Sequence, residues 1–65
     1  MLDLLDVVRL KKDNEQYGVP ATVTGTIVDV IGDGEAYTVE FMDDEGNTFE
    51  EALFAEFTEN DLVKV

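Results

Sequence analysis

The chain contains no cysteine, no histidine, no serine and no tryptophan. Without cysteine there is no disulfide staple and no thiolate to hold a metal. Without histidine and serine it lacks the commonest general base, the commonest metal ligand and the usual hydroxyl nucleophile. The missing tryptophan argues against a proline-peptide groove, which is lined by exposed aromatic side chains. No apolar run approaches the roughly 20 residues that a membrane-spanning helix needs. Met1 to Asp6 carries acids where a signal peptide carries basic residues. These features predict a soluble cytoplasmic protein.

Positive charge is also scarce. Four bases face 16 acids, for a net charge of −12. The bases are Arg9, Lys11, Lys12 and Lys64, and none lies between Asp13 and Val63. Such a surface repels phosphate backbones and anionic lipid headgroups, which excludes charge-driven binding of nucleic acid or membrane. It favours a basic protein partner, or it serves only to keep a small domain soluble.

What is present is a single domain over residues 1–65, with apolar residues in strand-like periods. Asp6 to Leu10 reads as a first strand, extended inward by Leu4 or Leu5. Lys11 to Thr22 is a polar loop punctuated by Gly18 and Pro20. Its large apolar residues, Tyr17 and Val19, either close as a lid over the core or form a contact patch. Val23 to Ile31 is a second strand, with Thr26, Val28 and Val30 on one face and Ile27, Asp29 and Ile31 on the wetter one. Gly32-Asp-Gly34 is a tight turn into Tyr37–Phe41, where Tyr37, Val39 and Phe41 point inward. Asp43 to Asn47 is a second turn, with Gly46 or Asn47 left-handed.

Thr48 to Phe57 resumes as a fourth strand. Glu50-Glu51 breaks its alternation, and either a bulge near Glu50–Ala52 or a short helix over Glu50–Glu56 would resolve the conflict. Thr58 caps a single helical turn with Asp61 at the third position, and Val63 to Val65 closes as a fifth strand. The layout predicts an all-β fold: a small five-stranded SH3-like barrel with a long first loop and a one-turn helix before the last strand. Its predicted core is Val7, Leu10, Val28, Val30, Tyr37, Val39, Phe41, Phe49, Leu53 and Leu62.

Carboxylates are the only catalytic-type groups in number. Glu50-Glu51 and Asp43-Asp44-Glu45 are the densest clusters, but a glycosidase pair needs a cleft about 5–9 Å wide between its carboxylates. So short a barrel offers little room for one, which predicts no enzyme activity. Asp43, Glu45 and Asn47 follow the spacing of a calcium loop. Thr48 stands where that loop needs glycine, and Phe54 where it needs its last glutamate, so no metal site is predicted. Gly32-Asp-Gly34 lacks the lysine and helix of a phosphate loop. No cofactor is predicted.

Phe54, Phe57 and Tyr17 remain as candidate contact residues. Beside Glu50, Glu51, Glu56 and Glu59 they would form an apolar anchor ringed by acids, suited to a basic protein. The alternative is that both phenylalanines complete a sparse core.

Val23-Thr-Gly-Thr-Ile-Val-Asp-Val-Ile31 resembles the start of the KOW motif of ribosomal and transcription-factor barrels. The basic loops of that family are missing here. A resemblance covering nearly the whole chain lies in Leu4–Leu10, Gly25–Val30, Gly34–Phe41 and Asp44–Thr48. These segments are similar to a bacterial family of short, acidic, single-domain proteins known only as a domain of unknown function. The resemblance implies the barrel fold and leans toward an inhibitor- or antitoxin-like partner protein. The sequence thus predicts an acidic, non-catalytic protein-binding module, antitoxin-, immunity- or inhibitor-like, with a structural homo-oligomer as the alternative.

Overall fold

A computed structural model describes all 65 residues. The protein is mostly β. Four strands, β1 (Val7–Leu10), β2 (Thr24–Ile31), β3 (Ala36–Met42) and β4 (Leu62–Lys64), form one antiparallel sheet in the order β3-β2-β1-β4. Two 3-10 turns, Glu50–Phe54 and Glu59–Asp61, lie between β3 and β4.

The expected fourth strand, over Thr48–Phe57, is absent, which leaves four strands where five were expected. That segment pairs with β3 in strand fashion only at two isolated bridges, Thr48 opposite Met42 and Phe57 opposite Tyr37. The reason is its period. Phe49, Ala52 and Ala55 recur every three residues, the repeat of a 3-10 helix. Ala52 N–H donates to Phe49 O at 3.1 Å, and Ala55 N–H to Ala52 O at 3.1 Å. Ala52 and Ala55 are buried, and Phe49 packs partly buried on the core. A period of three leaves both Glu50 and Glu51 facing solvent, which a strand could not do. Of the two local alternatives for the Glu50-Glu51 break, the short helix is the one formed.

β2 carries the second departure from simple alternation. Ile27 pairs with Val39 but Asp29 with Thr38, so Val28 is an extra residue in the ladder. Before this bulge the odd-numbered residues face the core, and after it the even-numbered ones do. Ile27 is therefore fully buried, Val28 is 42% exposed, and Val30 is half-buried against the core. The expectation of Val28 inside and Ile27 on the wetter face is corrected by this one residue.

β1 is corrected by parity. Val8 and Leu10 are buried, so Val7, one position out of phase with them, faces outward at 43% exposure. Leu4 and Leu5 are exposed and do not extend the strand inward; Leu2 is the buried residue of that arm. Its N–H donates to Tyr37 Oη at 3.3 Å, which satisfies the hydroxyl of a fully buried tyrosine. Leu53 is half-buried and stands outside the core cluster, where Ala52 and Ala55 take its place.

The rest of the core matches the expectation. Tyr37, Val39, Phe41 and Leu62 are buried with Ile27, Val8 and Val19. Gly25 sits where no side chain fits: a Cβ there would lie 2.6 Å from Val39 Cγ1 and 2.7 Å from Phe41 Cδ1. Gly46 takes the left-handed turn position at φ 83°. The first loop closes as a lid. Asn14 and Val19 exchange backbone hydrogen bonds of 2.8 and 3.0 Å, which tucks Val19 fully under it.

Candidate functional site

The candidate residues come from three places: the first loop, the Glu50–Phe54 turn and the stretch leading into Glu59–Asp61. Tyr17 is the hinge of the group. Its N–H donates to Asn14 Oδ1 at 2.9 Å, and its hydroxyl accepts from Gln16 Nε2 at 3.4 Å. The ring rests partly buried against the core.

Tyr17 separates two depressions. On one side lies an open hollow of about 300 Å³ between Tyr17, Phe49, Glu50 and Glu51. On the other is a cleft of about 450 Å³ whose walls include Lys11, Lys12, Glu56, Phe57 and Asp61. The structure thus brings Tyr17, Glu50 and Glu51 to one rim, and Tyr17, Glu56 and Phe57 to another.

The two phenylalanines part company. Phe57 is 3% exposed and meets Phe41 edge-to-face, ring centroids 5.5 Å apart, with an interplanar angle of 83°. It is a core residue and supplies no surface anchor, which corrects that half of the expected patch. Phe54 is 87% exposed. In a 3-10 turn, residues three apart eclipse, so Phe54 stands on the same side as Glu51, one turn on. Glu59 sits apart, its carboxylate 3.4 Å from the amino terminus of Met1. The Glu59–Asp61 turn is fixed by Asp61 Oδ2, which accepts from Thr58 N–H at 2.9 Å and Thr58 Oγ1 at 3.0 Å.

The sequence reading missed Lys11 and Lys12 beside Glu56. No local signal could have shown this, because the first loop meets residues 55–61 only through the tertiary fold. Neither lysine forms an ion pair; the two in the structure are Lys64 with Asp6, at 3.5 Å, and the Met1 amino group with Glu59.

Asp43, the residue that opened the calcium-like spacing, is engaged by its own turn. Its Oδ1 accepts from the N–H groups of Glu45 and Asn47, each at 2.9 Å. The Asn47 N–H is the main influence holding its carboxyl below the ordinary value of 3.8, with the Glu45 N–H adding to it against partial desolvation. Asp6 is held low as well, first by the Asp3 N–H and then by the charge of Lys64. No group of three or more acidic side chains is placed to hold a metal ion. No helix is long and apolar enough to cross a membrane.

A short antiparallel sheet, two 3-10 turns and an acid-rimmed surface define a small all-β domain. The particular family follows from its sequence: residues 4–60 match the family described as Domain of unknown function (DUF4926), and the chain belongs to it. Searches among curated proteins and among solved structures return no match.

Proposed function

We propose that the protein is an acidic, non-catalytic binding module of the bacterial cytoplasm that docks on a basic protein, in the manner of an inhibitor, antitoxin or immunity protein. The observation that carries this reading is Phe54. A phenylalanine 87% exposed at the end of the Glu50–Phe54 turn, with two carboxylates on the same turn, has no packing role in the fold and is free to insert into a partner. Such a side chain fits the anchor of an interface, and the carboxylates around it would steer a basic partner and set its orientation. The net charge of −12 acts in the same direction at longer range.

On this reading the domain is a reduced SH3-like barrel. Its fourth strand is replaced by the bridges at Thr48 and Phe57 and the turn between them. The peptide-binding role of an SH3 groove is not part of the proposal, since the cleft beside Tyr17 carries charges of both signs. No nucleic acid, membrane or cofactor is involved.

The test is site-specific photocross-linking from position 54 in cells, with the product identified by mass spectrometry. A partner of basic pI is expected. Its affinity should fall at least about tenfold on Phe54→Ala and fall again with added salt. A partner whose binding ignores both changes would overturn the proposal.

A further inference from the structure

The outward side of the sheet has a composition unlike the rest of the molecule. By register, Val7 lies between Val65 and Thr26, and Arg9 lies between Val63 and Thr24. Val28, the bulge residue, continues the same face beyond Thr26. Seven outward positions of β4, β1 and β2, with Val65 included, hold four valines, two threonines and one arginine. None is a carboxylate, in a chain with 16 acids among 65 residues. Asp29, which follows the bulge on the outward side of β2, and Glu40, the β3 partner of Thr26, bound this set on that side.

This face is also where apolar exposure concentrates. Leu4, Leu5, Val7, Val28 and Val65 are 55%, 69%, 43%, 42% and 63% exposed, five of the eight large apolar side chains left to solvent. Leu5 N–H donates to Ile27 O at 2.8 Å, which fixes the Leu4–Leu5 turn beside Val28. Leu5 holds φ 73°, a left-handed conformation that disfavours residues with a Cβ. A strained backbone that keeps a leucine in water is an outlier that packing within the chain does not explain.

We propose that this face pairs with a second copy of the chain. The argument for that occupant is charge. A two-fold contact sets each patch against its own likeness, so any acid-rich surface of this protein repels itself. The seven positions from Val65 and Val63 through Val7 and Arg9 to Thr24, Thr26 and Val28 carry no carboxylate, and their one charge, Arg9, is opposite in sign to the bordering Asp29 and Glu40 of a second copy. It offers a basic protein nothing to bind, and it offers an acidic one a single cation. The pairing is weak. Three strands about 4.8 Å apart make a face roughly 14 Å across, so each copy buries roughly 300 Å², less than half of what a standard interface buries per partner.

Sedimentation velocity on the full chain, from about 10 μM to 1 mM, tests this at low and high salt. Added salt screens the repulsion between two copies of charge −12, so dimerisation should strengthen by about tenfold between 0.05 and 0.5 M salt. Docking of a basic partner at Phe54 would weaken over the same range, so the two proposals fail separately. Val28→Glu and Val7→Glu should each leave a monomer with an unchanged circular dichroism spectrum, and Phe54→Ala should leave the dimer intact. A monomer at every concentration in high salt overturns the proposal. So does a dimer that salt weakens, or one that survives Val28→Glu and Val7→Glu but is lost on Phe54→Ala. If Val28→Glu instead abolishes binding of a cross-linked foreign partner while the free chain stays monomeric, the face belongs to that partner.

Discussion

The β2–β3 hairpin and the stretch from Thr48 to Asp61 pack against the same core by different means. The hairpin is a ladder: Thr24 to Ile31 pairs with Ala36 to Met42 across its whole length, with one bulge. The later stretch hangs from two bridges, at Met42 and Tyr37, and is held between them by Phe49, Ala52, Ala55 and Phe57. The ladder distributes its stability over many backbone bonds, whereas the second segment concentrates it in a few side chains. One therefore tolerates surface change along its length, and the other depends on its anchors.

The largest expected effect comes from removing the strongest anchor. Phe57→Ala should cost about 3–5 kcal/mol, comparable to the whole stability of a 65-residue domain at about 0.05–0.15 kcal/mol per residue. Loss of the cooperative transition in urea is the readout. A shift below about 1 kcal/mol would mean that the ladder alone carries the fold.

Next comes the ladder's own tight point. Gly25→Ala places a Cβ within 3 Å of Val39 and Phe41 side-chain atoms, and overpacking of that kind costs about 1–3 kcal/mol. Chemical denaturation should show a lower midpoint with an unchanged slope. A neutral result would show that Phe41 swings aside freely.

A smaller effect separates the turn that leads into the hanging segment. The folded Asp43 carboxyl titrates below its ordinary value of 3.8. Its contribution is complete above that value and is lost as the pH falls through the depressed one. The stability difference between the native chain and Asp43→Asn should therefore be constant near neutrality and shrink in acid below about pH 3.8. A difference that grows on acidification would reverse the assignment. Comparing the two proteins at each pH cancels the general relief of repulsion as the other carboxylates protonate.

The smallest expected effect on folding is at Phe54. Because that ring contacts little, Phe54→Ala should change stability by no more than about 0.5 kcal/mol while weakening partner binding. A large destabilisation would place the ring in the fold and remove the surface anchor.

The contrast between the two regions also explains what could be read from the sequence. Tyr37, Val39 and Phe41 alternate cleanly because β3 is a regular strand, and alternation is a local signal. The Gly32–Gly34 and Gly46 turns were legible for the same reason. The period of three at Phe49, Ala52 and Ala55 was present but is shared by too short a run to outweigh a strand reading. Ala52 and Ala55 also lack the size that marks a core residue in sequence. Val28 was unreadable, because a bulge leaves both faces of β2 with mixed composition. Of the candidate site, the exposure of Phe54 and the burial of Phe57 depended on which period governed the segment. The lysines that border Glu56 arrive from more than 40 positions away.

The bulge has one further consequence. Elsewhere in β2 or β3 a one-residue deletion would turn half a strand inside out. At Val28 it would not, since Ile27 and Val30 would then fall into ordinary alternation with the same sides facing inward. The strand thus carries one residue of slack, and the chain with Val28 removed should keep its core while losing one of the valines of the outward face. Length itself becomes a variable that can be changed on one side of the sheet and not the other.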